Sequence, residues 1–139
     1  MRVAAALLLL CLMVGPARAQ SVSPADRSSI QTVITRQIDA FQHDDADAAF
    51  AFASRSIQDQ FGTSGRFLEM VRRAYPPVHR PRSVDFSELM VGDGTVVQQV
   101  ELVGPDGASV LALYSMERDA AGQWRISGCI LTESARSGT

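Results

Sequence analysis

The hydrophobic period of this chain changes once, between Pro76 and Pro81, and divides it into a helical half and a stranded half. In the first half Ser23-Pro24 predicts a helix start, with Ser at the N-cap, Pro at the first helical position and Asp26 in the first turn. Ile30, Val33, Ile34, Ile38 and Phe41 then form one apolar stripe, and the helix ends near Gln42-His43. Asp44 or Asp45 caps a second helix carrying Ala48, Ala49, Phe50, Phe52 and Ala53. Ser54 to Phe61 reads as a short helical turn stopped by Gly62. Ser64 opens another helix, with Phe67, Met70, Val71 and Ala74 inward and Arg66, Glu69, Arg72 and Arg73 outward. Pro76-Pro77 ends it.

After Pro81, the segments Arg82 to Val91, Thr95 to Val103, Ser109 to Arg118 and Gln123 to Thr132 read as strands. Their separators are Gly92-Asp93-Gly94, Gly104-Pro105-Asp106-Gly107 and Asp119-Ala120-Ala121-Gly122, turn chemistries of hairpin length. Sequential strands with short turns make an antiparallel meander. The third is apolar on both faces, which places it centrally. The fourth sets Trp124, Ile126 and Ile130 against Arg125, Ser127 and Cys129, so one of its faces is more exposed. The fold class is therefore α+β, with N-terminal helices packed on a four-stranded antiparallel meander sheet.

The first residues read as an export signal. Arg2 precedes the apolar run Val3 to Val14, Gly15-Pro16 breaks it, and Ala17-Arg18-Ala19 is a small-x-small cleavage pattern. The run is too short for a spanning helix and has no polar face for a core helix. A retained N-terminal anchor is the alternative reading. The expected organisation is a signal peptide at 1–19, one α+β domain at 20–133 and a flexible tail at 134–139, in a periplasmic or secreted protein with no stable membrane anchor after cleavage. Cleavage removes Arg2 and Arg18, leaving 11 arginines against 15 acids, a charge of −4. The chain has no lysine, which excludes Schiff-base and phosphate-loop lysine chemistry. A mildly acidic domain is also a poor nucleic-acid binder. With Cys11 lost, Cys129 is a lone cysteine and reads as a packed strand residue rather than a reactive thiol.

The segment Phe41-Gln42-His43-Asp44-Asp45-Ala46-Asp47-Ala48-Ala49-Phe50 resembles the helix–Asp–helix junction of nuclear-transport-factor-2-like (cystatin-like) domains, and Gly122-Gln123-Trp124-Arg125-Ile126 is similar to their final strand. A larger ensemble resembles the small exported bacterial family known as domain of unknown function 4864. It comprises Ala51-Phe52-Ala53-Ser54, Gln60-Phe61-Gly62, Phe67 to Val78, Arg80-Pro81-Arg82-Ser83 and Trp124 to Cys129, and spans nearly the whole mature chain. The first resemblance implies a curved sheet closed into a cone around an apolar pocket. In enzymes of that superfamily a pocket Asp or His acts as base beside a hydrogen-bond donor, without a cofactor. The second implies no activity.

Three groups of residues are candidates for chemistry. His43 with Asp44, Asp45 and Asp47 has the residue types of a base or metal site, but His at a helix C-terminus and Asp at a helix N-terminus are accounted for by local helix chemistry. The aspartates also lack a calcium-loop spacing. Arg72, Arg73, His79, Arg80 and Arg82 around Tyr75-Pro76-Pro77 form a basic cluster suited to gripping a carboxylate or phosphate. The competing reading is a solvated face whose arginines pair with acids elsewhere. Tyr114, Gln98 and Ser127 are strand residues that could face a pocket, Tyr114 as a hydrogen-bond donor. No Gly-x-Ser-x-Gly and no zinc pattern occurs, and only two His are present.

The expected function is non-enzymatic binding of a small ligand or an envelope protein partner, through a pocket or the arginine-rich rim. Arg72, Arg73, Tyr75, His79, Arg80, Arg82 and Tyr114 are the candidate ligand-binding residues, with no metal and no cofactor. The alternative is a cofactor-free isomerase, dehydratase or hydrolase with a pocket acid–base residue. A third possibility is a homodimer through the sheet's outer face, using Gln99, Glu101, Arg125 and Ser127.

Overall fold

The computed structural model describes residues 22–134, so the leader, the residues at 20 and 21 and all of the tail beyond Ser134 lie outside the described residues. Helix α1 (Pro24–Gln42) opens on a capping box: the Ser23 hydroxyl accepts from the Asp26 amide at 3.0 Å, and the Ser23 amide donates to the Asp26 carboxylate at 3.1 Å. Its stripe of Ile30, Ile34, Ile38 and Phe41 is buried. Gln37 lies in the same buried stripe and donates its amide to the Ala49 carbonyl at 3.1 Å, which seats α2 (Ala46–Ala51) against α1.

Asp44 takes a positive φ of 51° and turns the chain. Asp45 is then the N-cap of α2, accepting from Ala48 N. Ser54 and Thr63 cap α3 (Arg55–Phe61) and α4 (Ser64–Ala74), and Gly62 closes α3 in the left-handed region at φ 75°. The Phe67 ring on α4 gathers Phe41, Phe50 and Phe61 at centroid distances of 5.8, 5.4 and 5.6 Å. Pro76 and Pro77 end α4, as predicted, but they also begin a further turn, α5 (Pro76–His79). Pro fixes a helical φ and lacks the amide that a first turn leaves unpaired.

The strands β1 (Ser83–Gly92), β2 (Thr95–Val103), β3 (Ser109–Arg118) and β4 (Trp124–Glu133) form one antiparallel sheet in the order β1-β2-β3-β4. Asp93 and Gly94 both have positive φ, the type I′ geometry that matches strand twist. The helices cover the face carrying Val100, Leu102, Ala112, Tyr114, Met116 and Ile126. This is the α+β architecture expected, with β3 an inner strand.

Two bulges depart from simple alternation. In β1, Ser87 and Glu88 together oppose Gln99, and the buried Gln98 donates its amide to both of their carbonyls, at 3.3 and 3.4 Å. In β4, Ile126 pairs with Met116 and Gly128 with Ser115, so Ser127 is an extra residue. The bulge reverses the strand's phase. Cys129 turns toward the core with Ile126, and Ile130, expected to share the face of Ile126, is 63% exposed. Ser134, assigned to the flexible tail from sequence, is buried and donates to Glu101 at 2.8 Å.

A helix–sheet cavity and an aspartate hub

The chain between α2 and α3 meets the free edge of β4. Ile126 N donates to Phe52 O at 2.9 Å and Ser54 N to Ile126 O at 2.8 Å, a one-residue parallel bridge centred on Ala53. Beyond that bridge the helices and β4 diverge and leave a cavity of about 630 Å³, within the range that holds a small organic ligand. Phe41, Phe61, Phe67, Met70 and Ile126 are among the apolar side chains of its wall. Ala74 sits exposed at its edge. At the other side, the Tyr75 hydroxyl donates to the Cys129 carbonyl at 3.2 Å and ties the end of α4 to β4.

Among the described residues, no Asp, Glu, His or Arg lines this cavity. Its ionisable groups are Tyr75, Tyr114 and Cys129. Tyr114 is 1% exposed, and its hydroxyl has no hydrogen-bond partner among the described residues. Burial pushes its pKa well above the ordinary phenol value, and the adjacent Cys129 adds to the shift. The Cys129 thiol is pushed up to about 12, chiefly by desolvation, with the Tyr114 hydroxyl opposing slightly. The two groups are thus close enough to influence each other's ionisation. Both are neutral at physiological pH.

The arginine-rich cluster is organised differently from the cavity. Asp44 Oδ1 accepts from Arg72 Nη2 at 3.0 Å and from His79 Nε2 at 2.8 Å, and Asp44 Oδ2 accepts from Arg80 Nη2 at 2.8 Å. The His79 hydrogen bond, followed by that from Arg72, holds the Asp44 carboxyl down at about 2. Three of the basic side chains therefore converge on an acid contributed by the α1–α2 turn, an intramolecular joint between that turn, α4 and α5. Arg82 Nη2 donates to the Pro105 carbonyl at 2.6 Å instead. Arg73 is exposed and has no partner among the described residues. Tyr75 leaves the cluster and faces the cavity.

The remaining candidates separate in the same way. His43 turns back onto the Asp39 carbonyl at 2.9 Å, and Asp47 accepts from the Ser64 hydroxyl, so the sequence-adjacent His and Asp residues form no single site. Gln98 serves the β1 bulge and does not line the cavity, whereas Ser127 does. Arg125 donates to the Ala51 carbonyl at 2.9 Å and to Asp119 at 3.1 Å. Arg125 and Ser127 are thus engaged with the helical layer and the cavity, leaving only Gln99 and Glu101 of the four residues proposed for an outer dimer face. Sequence reading missed Asp44 as a hub and Gln37, Phe61 and Met70 as cavity wall. The tandem Asp44-Asp45 held a usable signal, since only one of the two can be the cap.

Fold and cavity define an α+β domain with helices on one sheet face and an uncharged, largely apolar recess between the layers. The chain belongs to the family described as a domain of unknown function (DUF4864), whose model matches residues 23–139. No curated protein matches it.

Proposed function

We propose that this chain is an exported, non-enzymatic domain that binds a small apolar ligand in the cavity between α3, α4 and β4. The observation that carries the reading is an apolar recess of ligand size with no carboxylate, imidazole or guanidinium on its wall. A cofactor-free enzyme of the kind considered from sequence would need a pocket Asp or His as base, and the lining supplies neither. The arginine rim is the weaker ligand site, because Asp44 already takes the hydrogen bonds of Arg72, His79 and Arg80 that an incoming anion would need. A recess between helices and sheet also accords with the resemblance to nuclear-transport-factor-2-like domains, which belongs to this proposal.

Ala74→Trp tests it. Ala74 is exposed at the cavity edge, so an indole there fills the opening without displacing core. The variant is expected to keep the melting temperature of the parent and to lose binding of an apolar fluorescent dye. Unchanged dye binding would overturn the cavity reading. The export half is tested by expressing the full chain in a bacterium and weighing the product of the periplasmic fraction: a mature N-terminus at Gln20 supports it, and an intact leader does not.

A further inference from the structure

Tyr114 stands out among the buried polar groups of the cavity wall. Its hydroxyl has no hydrogen-bond partner among the described residues, although it is buried on an inner strand. A buried hydroxyl without a partner carries a desolvation cost of about 1–3 kcal/mol, and Phe would fill the same space without it. Cys129 is the polar neighbour of Tyr114 and relieves this cost only weakly, and the other polar groups of the wall are engaged elsewhere or make no hydrogen bond to its hydroxyl. The Tyr75 hydroxyl is directed to the Cys129 carbonyl, the Gln37 amide to the Ala49 carbonyl, and the Cys129 thiol is protonated and a weak acceptor.

We infer that Tyr114 is the polar anchor of the cavity, and that the ligand is an uncharged, mainly apolar molecule with one oxygen acceptor that receives the Tyr114 hydroxyl proton in a hydrogen bond. This inference rests on the cavity reading above and adds the ligand's chemistry to it. The apolar wall sets most of the ligand's surface. The buried donor without a partner sets one acceptor. The absence of any cationic side chain on the wall excludes a carboxylate or phosphate, which would be buried without a counter-charge. Selectivity then lies in the hydroxyl, because a site with an unpaired donor discriminates against an isostere that lacks the acceptor.

A matched set of probes tests this by calorimetry on the purified protein: benzophenone, its hydrocarbon isostere 1,1-diphenylethylene, and 4-benzoylbenzoate. Wild-type protein is expected to bind the ketone about fivefold to tenfold more tightly than the alkene, the range of one neutral hydrogen bond, and the carboxylate weakest. Tyr114→Phe is expected to bind the alkene as wild type does and to lose the preference for the ketone. Without ligand, it should melt at or above the wild-type temperature, where a hydroxyl with a structural role would make it melt lower. Equal binding of ketone and alkene by the wild type, or a preference that survives Tyr114→Phe, would overturn the anchor while leaving the cavity reading intact. No binding of either neutral probe would overturn both.

Discussion

His79 Nε2 donates to Asp44 Oδ1 at 2.8 Å, joining side chains 35 residues apart in the chain. Because a carboxylate only accepts, the proton on this hydrogen bond belongs to the imidazole. The contact brings the α1–α2 turn onto α5, and Arg72 and Arg80 reinforce it from either end of the Tyr75-Pro76-Pro77 segment.

Asp44→Ala is expected to destabilise the fold, because three donors lose their common acceptor. Asp44→Asn should cost less, since it keeps an acceptor and tolerates the positive φ. The carboxyl's folded pKa of about 2 lies below its ordinary 3.8. The stabilisation is therefore fully present above pH 3.8 and is lost as the pH falls toward 2. Urea midpoints measured across that window should fall more steeply for wild type than for Asp44→Asn. High salt should narrow the difference between them, because Asp44 is partly exposed.

Phe67→Ala removes the ring that touches Phe41, Phe50 and Phe61. A loss of about 3–5 kcal/mol is expected from chemical denaturation, the range for emptying a buried aromatic site. Phe67→Leu should cost clearly less, and equal losses for the two variants would contradict the ring cluster as the source.

The Cys129 thiol, held near 12 by burial, should react with iodoacetamide at least about tenfold more slowly in the native protein than in urea at about pH 8. Its folded pKa lies above the ordinary value of 9.0. The stability it contributes is therefore intact below pH 9.0 and declines as the pH rises toward 12, where the unfolded chain releases the proton first. Cys129→Ala should flatten this alkaline decline in the unfolding midpoint.

Ser23→Ala should destabilise by about 1 kcal/mol, through loss of the side-chain acceptor in the α1 capping box. A fall in α1 amide-exchange protection confined to its first turn would locate the effect at the cap.

Element boundaries were legible because they depend on local chemistry. The residues that open α1 and the turn residues before β2, β3 and β4 act through their own backbone or the next turn of chain, so a linear reading finds them. The Ser127 bulge was not legible. Strict alternation pairs Ile130 with Ile126, and only the register against Met116 and Ser115 reveals the extra residue that turns Cys129 inward. The role of Asp44 was hidden for a similar reason: two adjacent aspartates both fit a helix cap, and the one left over finds its donors on α4 and α5.

The amino-acid sequence by itself determined helices α1 to α4, the strands, their order and the α+β class. Those follow from periodicity, caps and turns, which are properties of neighbouring residues. Tertiary structure alone decided that the arginine cluster meets an internal acid, that the described cavity wall carries no charge, and that the buried Tyr114 hydroxyl stands unpaired. Charge pairing, desolvation and orphaned donors depend on groups brought together from distant parts of the chain. Composition and spacing carry no measure of that distance.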